Sequence, residues 1–166
     1  MPLKLLFLNV FAFVFPVLTQ AADGTAAGGV QVECELVAEV RRDPLEPQDG
    51  EFRPFVPATH LSQGDVVYYT LRIRNPSVGY AADVTVVQKI PENTSYVAGS
   101  AAAPGAHVEF SIDDGQSFDA AARLQVTDEG RTRLAPPERY THIRWQLRHP
   151  LAPGAVALAR FQAVFD

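Results

Sequence analysis

At 166 residues, with 14 basic against 19 acidic side chains, a net charge of −5 and a single cysteine, the chain has room for one ordinary domain, lacks the basic excess of a nucleic-acid binder and cannot close a disulfide within itself. Its stability must come from a hydrophobic core, which a hydrophobic content of 47% can supply.

The first stretch, MPLKLLFLNVFAFVFPVLTQAADG, carries Lys4, an apolar run from Leu5 to Leu18 and small residues at Ala21 and Ala22. This is the grammar of a secretory signal peptide, expected over residues 1–22 and cleaved near Ala22. The alternative, an uncleaved anchor, needs about 20 mainly apolar residues, and the run here is shorter and interrupted by Asn9 and Pro16. Lipid attachment would require a cysteine at the cleavage point, whereas the only one is Cys34. The expected product is periplasmic or secreted, with one domain over residues 23–166 and no membrane span after cleavage.

Beyond the leader, hydrophobic residues recur with period two, the mark of strands. From Val30 to Val40 the even positions Val32, Cys34, Leu36, Ala38 and Val40 are apolar and acids fill much of the other face. A half-buried first strand follows, with Cys34 read as a small core residue rather than a reactive thiol. Residues 43–64, DPLEPQDGEFRPFVPATHLSQG, hold four of the 13 prolines without alternation. They are expected to form a long loop or an edge-covering extension, and its aromatics Phe52 and Phe55 either plug an open end of the fold or offer a binding surface. Asp65 to Asn75 alternates again, with Val67, Tyr69, Leu71 and Ile73 inward, and Ala82 to Pro91 repeats the pattern around Val84, Val86 and Ile90. Between them Asn75-Pro76-Ser77-Val78-Gly79 is turn chemistry.

Val108, Phe110 and Ile112 lead into Asp113-Asp114-Gly115, a hairpin signal from which Phe118 should begin the return strand. A short strand at Leu124 to Val126 and a turn at Asp128-Glu129-Gly130 come next. Thr141 to Arg148 turns Ile143, Trp145 and Leu147 inward, and Ala155 to Phe165 closes the chain with Phe161 and Phe165 as inward anchors. Seven to nine short antiparallel strands with regular turn signals predict an all-β, immunoglobulin-like sandwich, a closed barrel being the second choice. Trp145 is then the largest core side chain.

The segment Gly64-Asp65-Val66-Val67-Tyr68-Tyr69-Thr70-Leu71, then Arg74-Asn75-Pro76, Ala82-Asp83-Val84-Thr85-Val86, Ile90-Pro91-Glu92 and Tyr96-Val97-Ala98-Gly99-Ser100, resembles the domain-of-unknown-function-eleven repeat. The resemblance is close from Gly64 to Ser100 and loose in the flanking strands. It implies an immunoglobulin-like sandwich of bacterial and archaeal exported proteins with structural or adhesive roles and no known catalysis. Gln88 stands where that family usually has Asp, and one copy replaces the usual tandem array.

Catalytic groups are sparse. No G-x-S-x-G elbow occurs, and His60, His107, His142 and His149 lack metal-ligand spacing. Asp113, Asp114, Asp119, Asp128 and Glu129 gather in two turns, a pattern that raises calcium, but the D-x-D/N-x-D/N-G loop and its distal Glu are absent and turn geometry alone explains the Asp-Gly pair. The arginines that alternate with acids read as solvated sheet faces. Expected, therefore, is a non-enzymatic structural or protein-interaction module of the bacterial envelope, without cofactor or metal, meeting another envelope protein through an edge strand or the Pro-rich loop. The alternative is a binding protein for a small molecule or glycan, with Phe52, Phe55 and Tyr80 as stacking platforms.

Overall fold

The computed structural model describes residues 31–41 and 54–166. The proposed leader, Val30, Phe52 and the first half of the Pro-rich stretch lie outside the described residues. Ten strands appear: β1 Glu33–Arg41, β2 Phe55–Pro57, β3 Val66–Arg74, β4 Thr85–Lys89, β5 Thr94–Tyr96, β6 Ala106–Ser111, β7 Gln125–Asp128, β8 Arg131–Leu134, β9 His142–Leu147 and β10 Val156–Phe165. A single 3-10 turn at Pro137–Arg139 precedes β9.

The fold class is as expected, an all-β antiparallel sandwich. One sheet has five strands in the order β2-β1-β3-β10-β5 and the other three, β4-β9-β6, with β7 and β8 forming a separate hairpin. The count of seven to nine strands is too low because β2 and β5, each three residues long, are too short to show a period, and β8, exposed throughout, has none. Of the two forms expected for the Pro-rich stretch, its described part takes the edge-covering one: Phe55–Pro57 is a strand paired on the outer edge of β1, Val40 opposite Val56, and Pro54 and Pro57 suit an edge that needs few donors. A second correction concerns the return strand at Phe118. The Asp-Gly turn forms, with Gly115 at φ 82°, but only a single bridge, Phe110 to Asp119, follows it. The Asp113 side chain organises the intervening residues into a loop instead.

The inner faces meet as the alternation predicted. Val67, Leu71, Ile73, Ile143, Trp145, Ala159, Phe161 and Ala163 are all buried to about 1% exposure or less. Trp145 of β9 lies over Phe161 of β10, ring centroids 6.2 Å apart, and Phe161 is stacked on Tyr69 of β3 at 4.7 Å. At one flank Tyr96 of β5 packs on Phe110 of β6, 5.2 Å away, and both meet Tyr140. The three-stranded sheet is thereby aligned with β6 over β5 and β9 over β10, which sets β4 over β3.

The loops are held by buried polar groups. Asn75 is fully buried; its side-chain amide donates to the carbonyls of Gly79 at 2.7 Å and Leu151 at 2.9 Å, and its Oδ1 accepts from the Ser77 hydroxyl at 2.8 Å. It ties the β3–β4 connection to the β9–β10 connection. Trp145 contributes only its bulk, since its indole N–H has no partner among the described residues. Replacing Trp145 with Ala should therefore cost about 3–5 kcal/mol, the range for truncating a large buried aromatic. Urea unfolding of the two proteins measures it, and a cost under about 1 kcal/mol would mean that the indole does not bridge the sheets.

Candidate functional site

Phe55 and Tyr80 do not share a site. Phe55 stands opposite Arg41, on the outer face of the five-stranded sheet, and meets Tyr68 edge-on with centroids 5.0 Å apart. It does not plug the end of the sandwich; Leu61 and Ala58 pack against the core there instead. Tyr80 adjoins the Ala81–Leu151 bridge, beyond the opposite end of β3. Seven residues of strand separate Tyr68 from Asn75, roughly 23 Å at the usual rise, so one small ligand cannot stack on both. Phe52 lies outside the described residues.

The turn acids do not converge either. Asp113 points into its own loop: it accepts from the Ser111 hydroxyl at 2.6 Å, the Ser117 hydroxyl at 2.5 Å and the Ser117 amide at 2.9 Å. These bonds favour the ionised form and hold its carboxyl well below the usual carboxylate range, the Ser111 bond contributing most. Asp119 is engaged by Arg123, which lowers its pKa as well, and Asp128 by Arg133 at 2.7 Å. Asp114 and Glu129 occupy left-handed turn positions, φ 57° and 50°. Among the described residues no group of three or more His, Cys, Asp or Glu is arranged to hold a metal.

The outer faces carry paired charges. Arg74 reaches Glu33 at 3.1 Å and Arg72 reaches Glu35 at 3.7 Å across β1 and β3. Such exposed pairs contribute about 1 kcal/mol at most, and they engage the arginines that alternation had placed on a solvated face. A more enclosed pair escaped the sequence reading: Arg144 of β9 donates through Nε and Nη2 to Glu109 of β6 at 2.9 and 2.6 Å, with the Phe118 ring 4.4 Å from its guanidinium carbon. Opposite parity in two strands hinted at both charges, but nothing local announced Phe118 as their cover.

The sheet edges differ sharply. β2 and β5 are three residues long, and the outer edge of β6 is bridged at Phe110 by Asp119, the two backbones exchanging two bonds, while the outward backbone groups of Val108 have no partner among the described residues. Edge strand β4 runs for five residues. The Leu147 amide donates to the Val84 carbonyl and the Ile90 amide to the Thr141 carbonyl, so the even residues bond to β9 and the odd ones face away. The Lys89 carbonyl is taken by the Gln88 side chain at 2.8 Å. The outward backbone groups of Thr85 and Val87 have no partner among the described residues.

Comparison with family models, with curated proteins and with solved structures finds no match. Several turn and strand-end positions between Gly64 and Ser100 have visible tasks. Gly64 takes φ 91°, Asp65 accepts from the Ser62 amide at 2.8 Å, the Tyr96 hydroxyl accepts from the Ala101 amide at 2.9 Å, and Ser100 donates to the Val97 carbonyl at 2.7 Å. Each serves a turn or a strand end.

Two predictions follow from these local geometries. The low Asp113 pKa means that its contribution to stability is complete above the ordinary carboxylate range and is lost as pH falls through the folded value. Thermal melts should thus show Asp113→Ala less stable than the parent at pH 7 and the gap narrowing steadily toward pH 2; a gap independent of pH would contradict this. Cys34, half-buried on β1, has its thiol pKa raised by burial. At pH 8 its alkylation by iodoacetamide in the folded protein should be slower than in urea, and equal rates would show the thiol to be outside the core.

Proposed function

We propose that this chain is an exported, non-enzymatic structural or protein-interaction module of the bacterial envelope, one that meets its partner through a sheet edge. The observation that carries the reading is β4: a five-residue edge strand whose Thr85 and Val87 backbone groups point outward without partners among the described residues. Unpaired edges are templates for strand addition, which is why folded proteins usually shorten, bridge or charge them. Elsewhere β2 and β5 are short and β6 is bridged at Phe110 alone; β4 carries only Lys89 and the Gln88 cap at one end. The leader-like N-terminus and the likeness to the domain-of-unknown-function-eleven repeat support the envelope setting. Phe55 and Tyr80, at opposite ends of β3, lend no support to a stacking site for a small ligand.

A photo-activatable amino acid placed in turn at Phe55, Tyr80, Val87 and Val156, in cells of the source organism, tests the proposal. Irradiation should yield a discrete adduct with one envelope protein from at least one position, in the envelope fraction. Absence of any protein adduct at all four positions, with the protein folded and exported, would overturn the interaction reading; retention of the full chain in the cytoplasm would overturn the exported one.

A further inference from the structure

The two sheets are unequal, and the shortfall falls at one place. With β6 over β5, β9 over β10 and β4 over β3, no strand of the second sheet among the described residues lies over β1. The consequence is visible in burial. The inward row of β3, Val67, Leu71 and Ile73, is fully buried, whereas the neighbouring inward row of β1, Cys34, Leu36, Ala38 and Val40, is only half-buried. Beside this row, in the plane of the second sheet, stands the outward edge of β4. Adjacent strands sit about 4.8 Å apart and packed sheets about 10 Å apart, so a strand hydrogen-bonded to Thr85 and Val87 would rest directly on the β1 row. Leu61 and Ala58, on the connection from β2 to β3, pack against the core near the Val40 end.

We infer that the second sheet lacks a fourth strand, and that the vacant position beside β4 is a slot for a single extended segment of a partner protein, with small or medium apolar side chains on the face turned toward Leu36 and Ala38. This rests on the interaction-module reading above and names its surface and occupant. The slot itself argues for a lone segment. Antiparallel pairing of β4 with the β4 of a second copy would place both five-stranded sheets on the same side of the joined sheet. The projecting β1 and β2 of each copy would then claim the same space. A single strand avoids that collision, because its second edge remains free. The chemistry of its two faces follows from the neighbours: apolar residues alternate toward Leu36, Ala38 and Val40, and polar residues turn outward beside Thr85, Val87 and Lys89. Alternation of that kind gives register, since a slip by one residue would put the polar side chains on the β1 row.

The probe is the capped heptapeptide acetyl-Lys-Thr-Val-Thr-Val-Thr-Lys-amide, compared with a version N-methylated at the residues whose N–H would face β4. On the purified protein, the unmodified peptide should slow amide hydrogen exchange at Thr85 and Val87, and alkylation of Cys34, by about tenfold or more, and the N-methylated peptide should do neither. Val87→Pro removes an outward N–H without touching the ladder to β9 and should abolish the effect in a protein that still melts cooperatively. Leu36→Ser, which alters only the floor of the slot, should weaken it. No protection at millimolar peptide overturns the slot. So does protection of Thr85 and Val87 already present in the free monomer, which would mean that the chain fills the position itself, or protection that appears only with concentration-dependent dimerisation. Peptide protection without any envelope adduct would leave the slot and remove the module reading, whereas adducts formed only from Phe55, Tyr80 or Val156 would leave the module and remove the slot.

Discussion

Trp145 lying on Phe161 is the contact from which the rest of this structure takes its alignment. A Trp and a Phe that are each almost wholly removed from water fix which strand of one sheet sits over which strand of the other, because ring packing of that size tolerates little sliding. Once β9 is over β10, the strand order of each sheet dictates the remaining neighbours. Tyr96 and Phe110 close one flank. The other flank is left, among the described residues, with β1 only half-covered and β4 at an edge, and the candidate site is a by-product of that arithmetic of five strands against three.

The polar chemistry of the molecule is mostly turned inward on the fold. Asn75 spends its amide on two loops, Asp113 spends its carboxylate on one, and Arg144 is occupied by Glu109 and covered by Phe118. Each of these groups finds its hydrogen-bond partners within the fold. What lies open includes backbone, on β4. Strand addition, which uses backbone donors and acceptors for affinity and alternate side chains for register, is the recognition mode that such a surface suits.

Much of the fold was legible in the sequence. Alternation over Val67, Tyr69, Leu71 and Ile73 and over Ile143, Trp145 and Leu147 identified the long strands and their inward faces, because period two survives wherever one face is buried. It failed for β2 and β5, which are held by pairing with longer neighbours rather than by a pattern of their own, and for Phe118, where side-chain bonds to Asp113 outcompete a return strand. The candidate site was less legible. That an exposed edge existed could be expected from a sandwich, but which edge depends on strand order and on the pairing of Tyr96 with Phe110, and neither is local. The aromatics chosen from sequence, Phe55 and Tyr80, were reasonable as residues and separated only by topology.

The unequal cover of β1 and β3 is the claim on which the functional reading depends, and it can be measured in solution without any partner. Methyl-labelled protein titrated with a soluble nitroxide should show the Leu36 and Val40 methyl resonances broadening well before those of Leu71 and Val67. Equal protection of Leu36 and Leu71 would mean that β1 is covered as completely as β3, and that there is no vacant strand position to fill.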